Sequence, residues 1–136
     1  MRTFYKIMQQ LHLQTKLIAI KRIDLPYLYL AQDYGYTEQE IEHGARLFLK
    51  AKGLINPLIL KRTNNVYYGI VYEEETPDGR YEVVHGFLEY YCVVRAREIN
   101  PAQECVQAII IDSKIEATVR EQIELFRVRP QSYQIV

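Results

Sequence analysis

Hydrophobic and polar residues follow two different periods along the chain, and these periods predict the positions of the strands and helices. Alternating or continuous apolar stretches predict five strands, at residues 16–24, 57–63, 66–74, 80–85 and 104–112. Apolar residues at helical spacing predict three main helices, at residues 37–52, 87–99 and 113–126. The same spacing over residues 3–11 predicts a short helix or an arm that packs against the domain.

Capping residues mark the start of two of these helices. The pattern Ser/Thr-x-x-Glu satisfies two backbone N–H groups at a helix start, and it occurs at Thr37–Glu40 and at Ser113–Glu116. Gly53 is predicted to end the first helix, because glycine readily adopts the left-handed conformation that follows a helix. Two well-marked helices and a third, which follows Gly86, are therefore expected.

Turn residues separate the strands and set their order. The asparagines at 64–65 predict a hairpin between strands 57–63 and 66–74, "TPDG" at 76–79 predicts a turn, and residues 25–36 a connecting loop. The resulting order is β-α-β-β-β-α-β-α. The expected fold is one α+β domain over residues 1–136, with an arm or helix at 1–15 and a tail at 127–136.

Composition and charge narrow the possible functions. The chain has 136 residues, of which 49% are hydrophobic, and 17 basic residues balance 17 acidic ones. A net charge of zero argues against a protein that coats DNA, although it permits a local basic patch. Two cysteines are too few for a disulfide framework, and no segment resembles a signal peptide or a membrane span. A cytoplasmic protein without a membrane partner is expected.

Four stretches together resemble the ParB/sulfiredoxin-like superfamily. They are "IAIKRIDLP" (18–26), "ARLFLKAKGLINPLILKR" (45–62), "YEVVHG" (81–86) and "CVQAIIID" (105–112). The resemblance covers about four-fifths of the chain, from Leu17 to about Ile123. It implies a small mixed sheet flanked by helices and a nucleotide pocket at the glycine that ends the third stretch.

The residues after this glycine depart from the family pattern. ParB-like members place Glu-Arg-Arg there, and these side chains meet the phosphates of a nucleotide, whereas sulfiredoxin places Cys-His-Arg with a working cysteine. Here Phe87, Leu88 and Glu89 follow Gly86. The carboxylate of Glu89 would repel a triphosphate. The resemblance therefore implies the scaffold of the family without its charged motif.

Two interpretations of this corner remain open at the level of sequence. Gly86 is either a ligand corner, whose backbone N–H groups bind an anion, or a bend that only glycine can adopt. His85 and Glu89 flank it and could share a proton or a metal ion, although one histidine and one carboxylate make an incomplete metal site. By resemblance, Asn56 faces the nucleotide pocket; alternatively, Asn-Pro is simply a loop before a strand.

The basic residues and cysteines give further candidates. Lys50, Lys52, Lys61 and Arg62 flank the Asn56 loop and predict a patch for a nucleic-acid or protein partner. Cys92 resembles a displaced sulfiredoxin thiol, but it lies on the apolar stripe of its helix, which predicts a small core residue.

The sequence therefore favours a non-catalytic ParB-like binding or regulatory module with a protein or nucleic-acid partner and no required cofactor. The alternative is a nucleotide-dependent hydrolase or nuclease with a modified pocket. That site would use Asn56, His85, Gly86 and Glu89, with Mg²⁺ bridging Glu89 to a phosphate. A third possibility is a homo-oligomer formed through the tyrosine-rich segment 66–72.

Overall fold

The computed structural model describes residues 13–26, 34–63, 65–67, 70–72 and 79–126, with only the backbone described at 65–67 and 70–72. The predicted helix at 3–11 and the tail at 127–136 lie outside the described residues. The same holds for most of the predicted loop at 25–36 and of the turn at 76–79. None of the helices in the described ranges has the length and apolar character needed to cross a bilayer.

Seven strands and three helices make up the described chain. The strands are β1 (Thr15–Ala19), β2 (Ile23–Asp24), β3 (Leu58–Arg62), β4 (Asn65–Tyr67), β5 (Ile70–Tyr72), β6 (Tyr81–His85) and β7 (Cys105–Ile111). The helices are α1 (Glu38–Ala51), α2 (Phe87–Ile99) and α3 (Glu116–Phe126). Five strands form one mixed sheet in the order β1-β7-β3-β6-β2, and β4 and β5 form a separate hairpin.

The central strand β3 fixes the geometry of this sheet. It runs parallel to β7 on one side and antiparallel to β6 on the other. The edge strand β1 is antiparallel to β7, and the edge strand β2 is parallel to β6. The amino end of β3 therefore lies beside the carboxyl end of β6.

The sheet is strongly curved, because a very short connection joins its two edge strands. Only the 3₁₀ turn Ile20–Arg22 separates β1 from β2. Four residues span at most about 14 Å. The outer strands of a flat five-stranded sheet would be about 19 Å apart. The sheet must therefore curl so that its two edges approach each other.

The two faces of the sheet bury different helices. Leu58 and Leu60 of β3 point into the main core, which α1 and α2 cover with the buried side chains Ala45, Phe48, Val93 and Ala96. Ile59 points to the opposite face, where α3 contributes Val119 to a smaller cluster. This alternation along β3 is the period of two that the sequence shows.

The strand predicted at 16–24 is wrong as a single element. The apolar residues Ile18, Ile20 and Ile23 are all buried, so the hydrophobic pattern is preserved across the break. The backbone N–H of Ile20 nevertheless donates to the carbonyl of Glu104 (2.9 Å), outside the ladder between β1 and β7. The chain turns there and continues to the other edge of the sheet.

The hairpin predicted at residues 64–65 is also wrong. β3 does not pair with β4, because β6 and β7 already occupy both of its edges. Instead β4 pairs with β5 in antiparallel register, so the strand predicted at 66–74 is divided between Tyr67 and Ile70. Whether a hairpin forms at a turn signal depends on which strand edges are free.

The Thr37 cap of the first predicted box is confirmed, and the cap of the second box is corrected. The Thr37 hydroxyl accepts a hydrogen bond from the N–H of Glu40 (3.1 Å) at the start of α1. Before α3, Asp112 rather than Ser113 is the cap, and it accepts from the N–H of Lys114 (2.9 Å). Phe126, the last residue of the helix predicted at 113–126, is 71% exposed although its spacing from Ile123 would place it on the apolar face.

The left-handed residue at the end of the first helix is Lys52 and not the predicted glycine. Lys52 has a φ of +61°, and the N–H of Gly53 donates to the carbonyl of Phe48 (3.2 Å). Gly53 instead leaves space for the terminal amide of Gln107, which a Cβ at this position would meet. Gln107 also accepts from the N–H of Leu54 (3.1 Å), which fixes the loop that leads into β3.

Candidate functional site

Pairing of β3 with β6 brings two of the predicted site segments to one end of the sheet. Ile59 lies opposite His85, and Leu58 contacts the Gly86 corner. Asn56 lies two residues before Leu58, so its loop approaches the same corner. Residues separated by about thirty positions in sequence therefore share one end of the sheet, as the resemblance implies.

Gly86 adopts a backbone conformation that other residues rarely take. Its φ is +100°, and a Cβ at this position would lie 2.9 Å from the Cδ2 of Leu58, which is fully buried and has no room to move. The carbonyl of Gly86 accepts from the N–H of Tyr90 (2.8 Å), which begins α2. The interpretation of Gly86 as a bend that requires glycine is confirmed, while anion binding at its N–H groups stays a prediction.

The side chain of Glu89 folds back over this corner. Its Oε2 lies 3.2 Å from the position that a Cβ of Gly86 would occupy. Glu89 is in the first turn of α2, where a negative charge is stabilised by the helix dipole. A carboxylate of the protein therefore lies next to the helix N-terminus that was predicted as a candidate anion site.

An aromatic cluster covers the first residue of α2. The ring of Phe87 stacks on Tyr34, with centroids 5.3 Å apart, and Tyr34 stacks on Tyr36 at 5.6 Å. Tyr36 in turn meets the edge of Tyr91 at 6.3 Å. Burial and the nearby carboxylate of Glu89 raise the pKa of Tyr36. Phe87, the residue that follows Gly86, is therefore part of a packed aromatic cluster.

Sequence reasoning did not find this cluster. The signal was present in "YGY" at 34–36, where Gly35 has a φ of +74° and directs the tyrosines on either side of it toward α2. From the sequence alone, however, Tyr-Gly-Tyr indicates only a turn.

The thiol of Cys92 is not activated. Burial, followed by the negative charges of Glu89 and Glu40, raises the pKa of Cys92 to about 11. Only a very small fraction is thiolate at neutral pH. Its Sγ packs against Gly44, where a Cβ would collide with it, so Cys92 lets α1 and α2 approach closely. The prediction that Cys92 is a small core residue is confirmed.

The polar candidates at this end of the sheet are exposed. Asn56 and His85 both have exposed side chains, whereas Phe87 and Glu89 are half-buried. The described residues contain no group of three or more His, Cys, Asp or Glu side chains that could hold a metal ion. Ligand binding by Asn56 and His85 stays a prediction.

The four basic candidates do not form one patch. Lys50 and Lys52 are exposed at the end of α1, near the amino end of β3, whereas Lys61 and Arg62 are at its carboxyl end. A strand of this length spans about 13 Å. Lys61 is also held by Glu116 at 3.0 Å and by Glu82 at 3.7 Å.

Comparisons with known proteins agree with this fold. No protein-family model matches the chain, and no curated protein matches it. Among solved structures, one that is similar is the C-terminally truncated chromosome-partitioning protein ParB from Caulobacter crescentus, complexed with CTP-gamma-S. The TM-score is 0.53 at 14% identity, over 85% of this chain and 55% of that ParB chain.

This similarity concerns the fold. The predicted fold class, a mixed sheet flanked by helices in a ParB-like arrangement, is confirmed. The chain spans about half the length of the ParB chain that it matches.

Proposed function

We propose that this chain is a non-catalytic ParB-like binding module whose corner does not accept a nucleoside triphosphate. The ParB protein of similar fold is complexed with CTP-gamma-S, so this fold is compatible with a nucleotide. The observation that carries the proposal is the position of Glu89, whose carboxylate lies beside Gly86 at the N-terminus of α2.

Electrostatic repulsion supports the exclusion of a triphosphate from this position. Two like charges 4 Å apart repel by about 4 kcal/mol at the effective dielectric near a protein surface. A triphosphate carries several negative charges. Neither Phe87 nor Leu88 supplies a positive charge beside Gly86 to offset this repulsion. The scaffold is thus kept while the favourable charge is replaced by an unfavourable one.

The loop beside the corner indicates a protein as the partner. Ile55 is 95% exposed, and it precedes the exposed Asn56. Together these two side chains form a small contact surface. A partner could bury the aliphatic side chain of Ile55 and form a directional hydrogen bond with the amide of Asn56. The exposed Lys50 and Lys52 lie close to this loop and would add selectivity for an acidic partner.

Removing the Glu89 charge tests the proposal directly. The Glu89→Gln variant should bind CTP, ATP or GTP more tightly than the wild type, by about tenfold for each 1.4 kcal/mol of repulsion removed. Binding is measured as the rise in melting temperature over a nucleotide titration. Glu121→Gln, an exposed change of the same charge on α3, is the control and should match the wild type. An unchanged affinity in Glu89→Gln would show that Glu89 does not close the corner.

The alternative is a nucleotide-dependent hydrolase or nuclease, and one observation favours it. The exposed side chains of Asn56 and His85 lie at the same end of the sheet as Gly86 and Glu89. A bound Mg²⁺ would reverse the local charge by bridging Glu89 to a phosphate. Magnesium-dependent binding and turnover that are lost in Glu89→Gln would establish this enzyme and overturn the binding module.

A further inference from the structure

The end of the sheet opposite Gly86 carries a second candidate site. A cleft of about 430 Å³ lies there, lined by Lys16, Arg62, Asp112, Lys114 and neighbouring isoleucines. Its volume is in the range of small-molecule sites. It contains none of the residues of the Gly86 corner.

Three separate elements bring the basic side chains to this cleft. Lys16 is on β1, Arg62 is the last residue of β3, and Lys114 is in the 3₁₀ turn that follows β7. Because β3 and β7 run parallel, their carboxyl ends coincide, with Lys61 opposite Ile111. The cleft therefore results from the sheet topology, and no single segment of the sequence contains it.

The charges around the cleft are unbalanced. Its lining has three basic residues and one carboxylate, and the Oδ1 of Asp112 already accepts from the N–H of Lys114 at 2.9 Å. Within the described part of the chain, no carboxylate forms an ion pair with the Nζ of Lys16 or of Lys114. An anion entering the cleft would therefore meet positive charge that the protein has left available.

In two other clefts, a carboxylate of the protein neutralises an arginine of the lining. In a cleft of about 670 Å³ between α1 and α2, the guanidinium of Arg95 contacts Glu42 at 2.6 Å. In one of about 550 Å³ beside β2, Arg80 contacts Asp24 at 2.6 Å. Each of these clefts has an internal ion pair that weakens its attraction for an anion. In the cleft at the end of β3, by contrast, Lys16 and Lys114 have no such partner among the described residues.

The backbone N–H groups of Lys114 and Ile115, where the helical segment begins, already have partners. The N–H of Lys114 donates to the Oδ1 of Asp112 at 2.9 Å, and the N–H of Ile115 donates to the Asp112 carbonyl at 3.0 Å. The attraction for an anion therefore comes from the basic side chains. Ile110, Ile111 and Ile115 form the floor of the cleft, and among the described residues that line it none has an aromatic ring on which a base could stack.

We propose that the cleft lined by Lys16, Arg62 and Lys114 binds a small phosphorylated anion, through its phosphate groups and not through a nucleobase. The site is separate from the corner at Gly86. It therefore stands whether or not the binding module proposed above is correct.

Pyrophosphate is the probe for this site. Titration at low ionic strength should raise the melting temperature of the wild type, and added salt should weaken the effect. The double variant Lys16→Gln with Lys114→Gln should bind at least tenfold more weakly. The matched control, Lys50→Gln with Lys52→Gln, removes the same two charges at the other end of β3 and should bind like the wild type.

Each outcome decides the question. Absence of a shift in the wild type at millimolar pyrophosphate overturns the proposal, and so does an equal loss in both double variants. Parallel titrations with glucose 6-phosphate and inorganic phosphate show whether the ligand is an organic phosphate or a free one. Tighter binding of glucose 6-phosphate would mean that the isoleucine floor contacts the organic group. Both lysine double variants keep Glu89, so the comparison between them does not depend on what happens at the corner.

Discussion

The two ends of strand β3 are held in different ways. At its amino end, the fully buried Leu58 packs against Gly86 so closely that a single methyl group would not fit. At its carboxyl end, the half-exposed Lys61 lies between the carboxylates of Glu82 and Glu116. One end is maintained by close packing and the other by charge in contact with water.

This difference predicts how each end tolerates change. Packed interiors resist added volume, with typical costs of about 1–3 kcal/mol, whereas exposed ion pairs contribute about 0–1 kcal/mol. The corner should therefore be sensitive to substitution. The charged end can exchange its residues more freely, which suits a surface that binds a small anion.

The largest effect is expected at Gly86. Gly86→Ala should lower the free energy of unfolding by about 2–4 kcal/mol, because a positive φ and a collision with Leu58 act together. Urea denaturation measures the loss. Gly35→Ala is the matched control, since Gly35 also has a positive φ but no atom within 4 Å of the added methyl. It should cost only about 1 kcal/mol, and equal losses would contradict close packing at the corner.

A smaller effect is expected between the two helices behind the corner. Gly44→Ala should destabilise the protein by about 1–2 kcal/mol, because its Cβ would collide with the Sγ of Cys92. A Cys92→Ala background removes the collision with the Sγ and leaves a tight contact of 3.3 Å with the Cβ of residue 92. Gly44→Ala should then be less unfavourable by about 1 kcal/mol or more, because the larger overlap is gone and alanine favours the helix. A double-mutant cycle measures this coupling, and an equal effect of Gly44→Ala in both backgrounds would refute the contact.

The smallest effect is expected at the charged end, and it depends on pH. Hydrogen bonding to Lys61, and more weakly to Arg120, lowers the pKa of Glu116. The Glu116–Lys61 pair therefore contributes its full stabilisation above the pKa of Glu116 in the unfolded chain, about 4.5. This stabilisation is lost as the pH falls through the lower pKa that Glu116 has in the folded protein. Glu116→Gln should remove less than about 1 kcal/mol at pH 7 and flatten this part of the stability profile. Glu121→Gln should keep the wild-type profile.

The sequence predicted those parts of the fold that local interactions determine. The cap formed by Thr37 and Glu40, and the buried stripe through Cys92 and Ala96, depend on residues three or four positions apart. Such patterns are visible in one helix without knowledge of its neighbours. The five strands of the main sheet were found from their alternation, although one prediction covered both β1 and β2.

Strand pairing and the surfaces that it creates were not predictable in the same way. The two asparagines at 64–65 resemble a hairpin turn, but the edges of β3 were already occupied by β6 and β7. Phe87 stacks on Tyr34, a residue more than fifty positions earlier. Lys16 and Lys114 line one cleft only because β1 and β7 are neighbours. Each of these features depends on contacts between segments that are distant in sequence, and such contacts cannot be inferred from the sequence of one segment.

The pairing of β1 with β7 has a consequence for how the chain folds. Ala19 is paired with Cys105. The strand β1 therefore cannot pair until β7, the last of the described strands, has been synthesised. Contacts this far apart in sequence slow folding, because a long loop must close before they form. On a ribosome, the apolar residues of β1 would stay exposed until β7 had emerged. The main sheet can therefore be completed only after β7, which ends at Ile111, has left the exit tunnel.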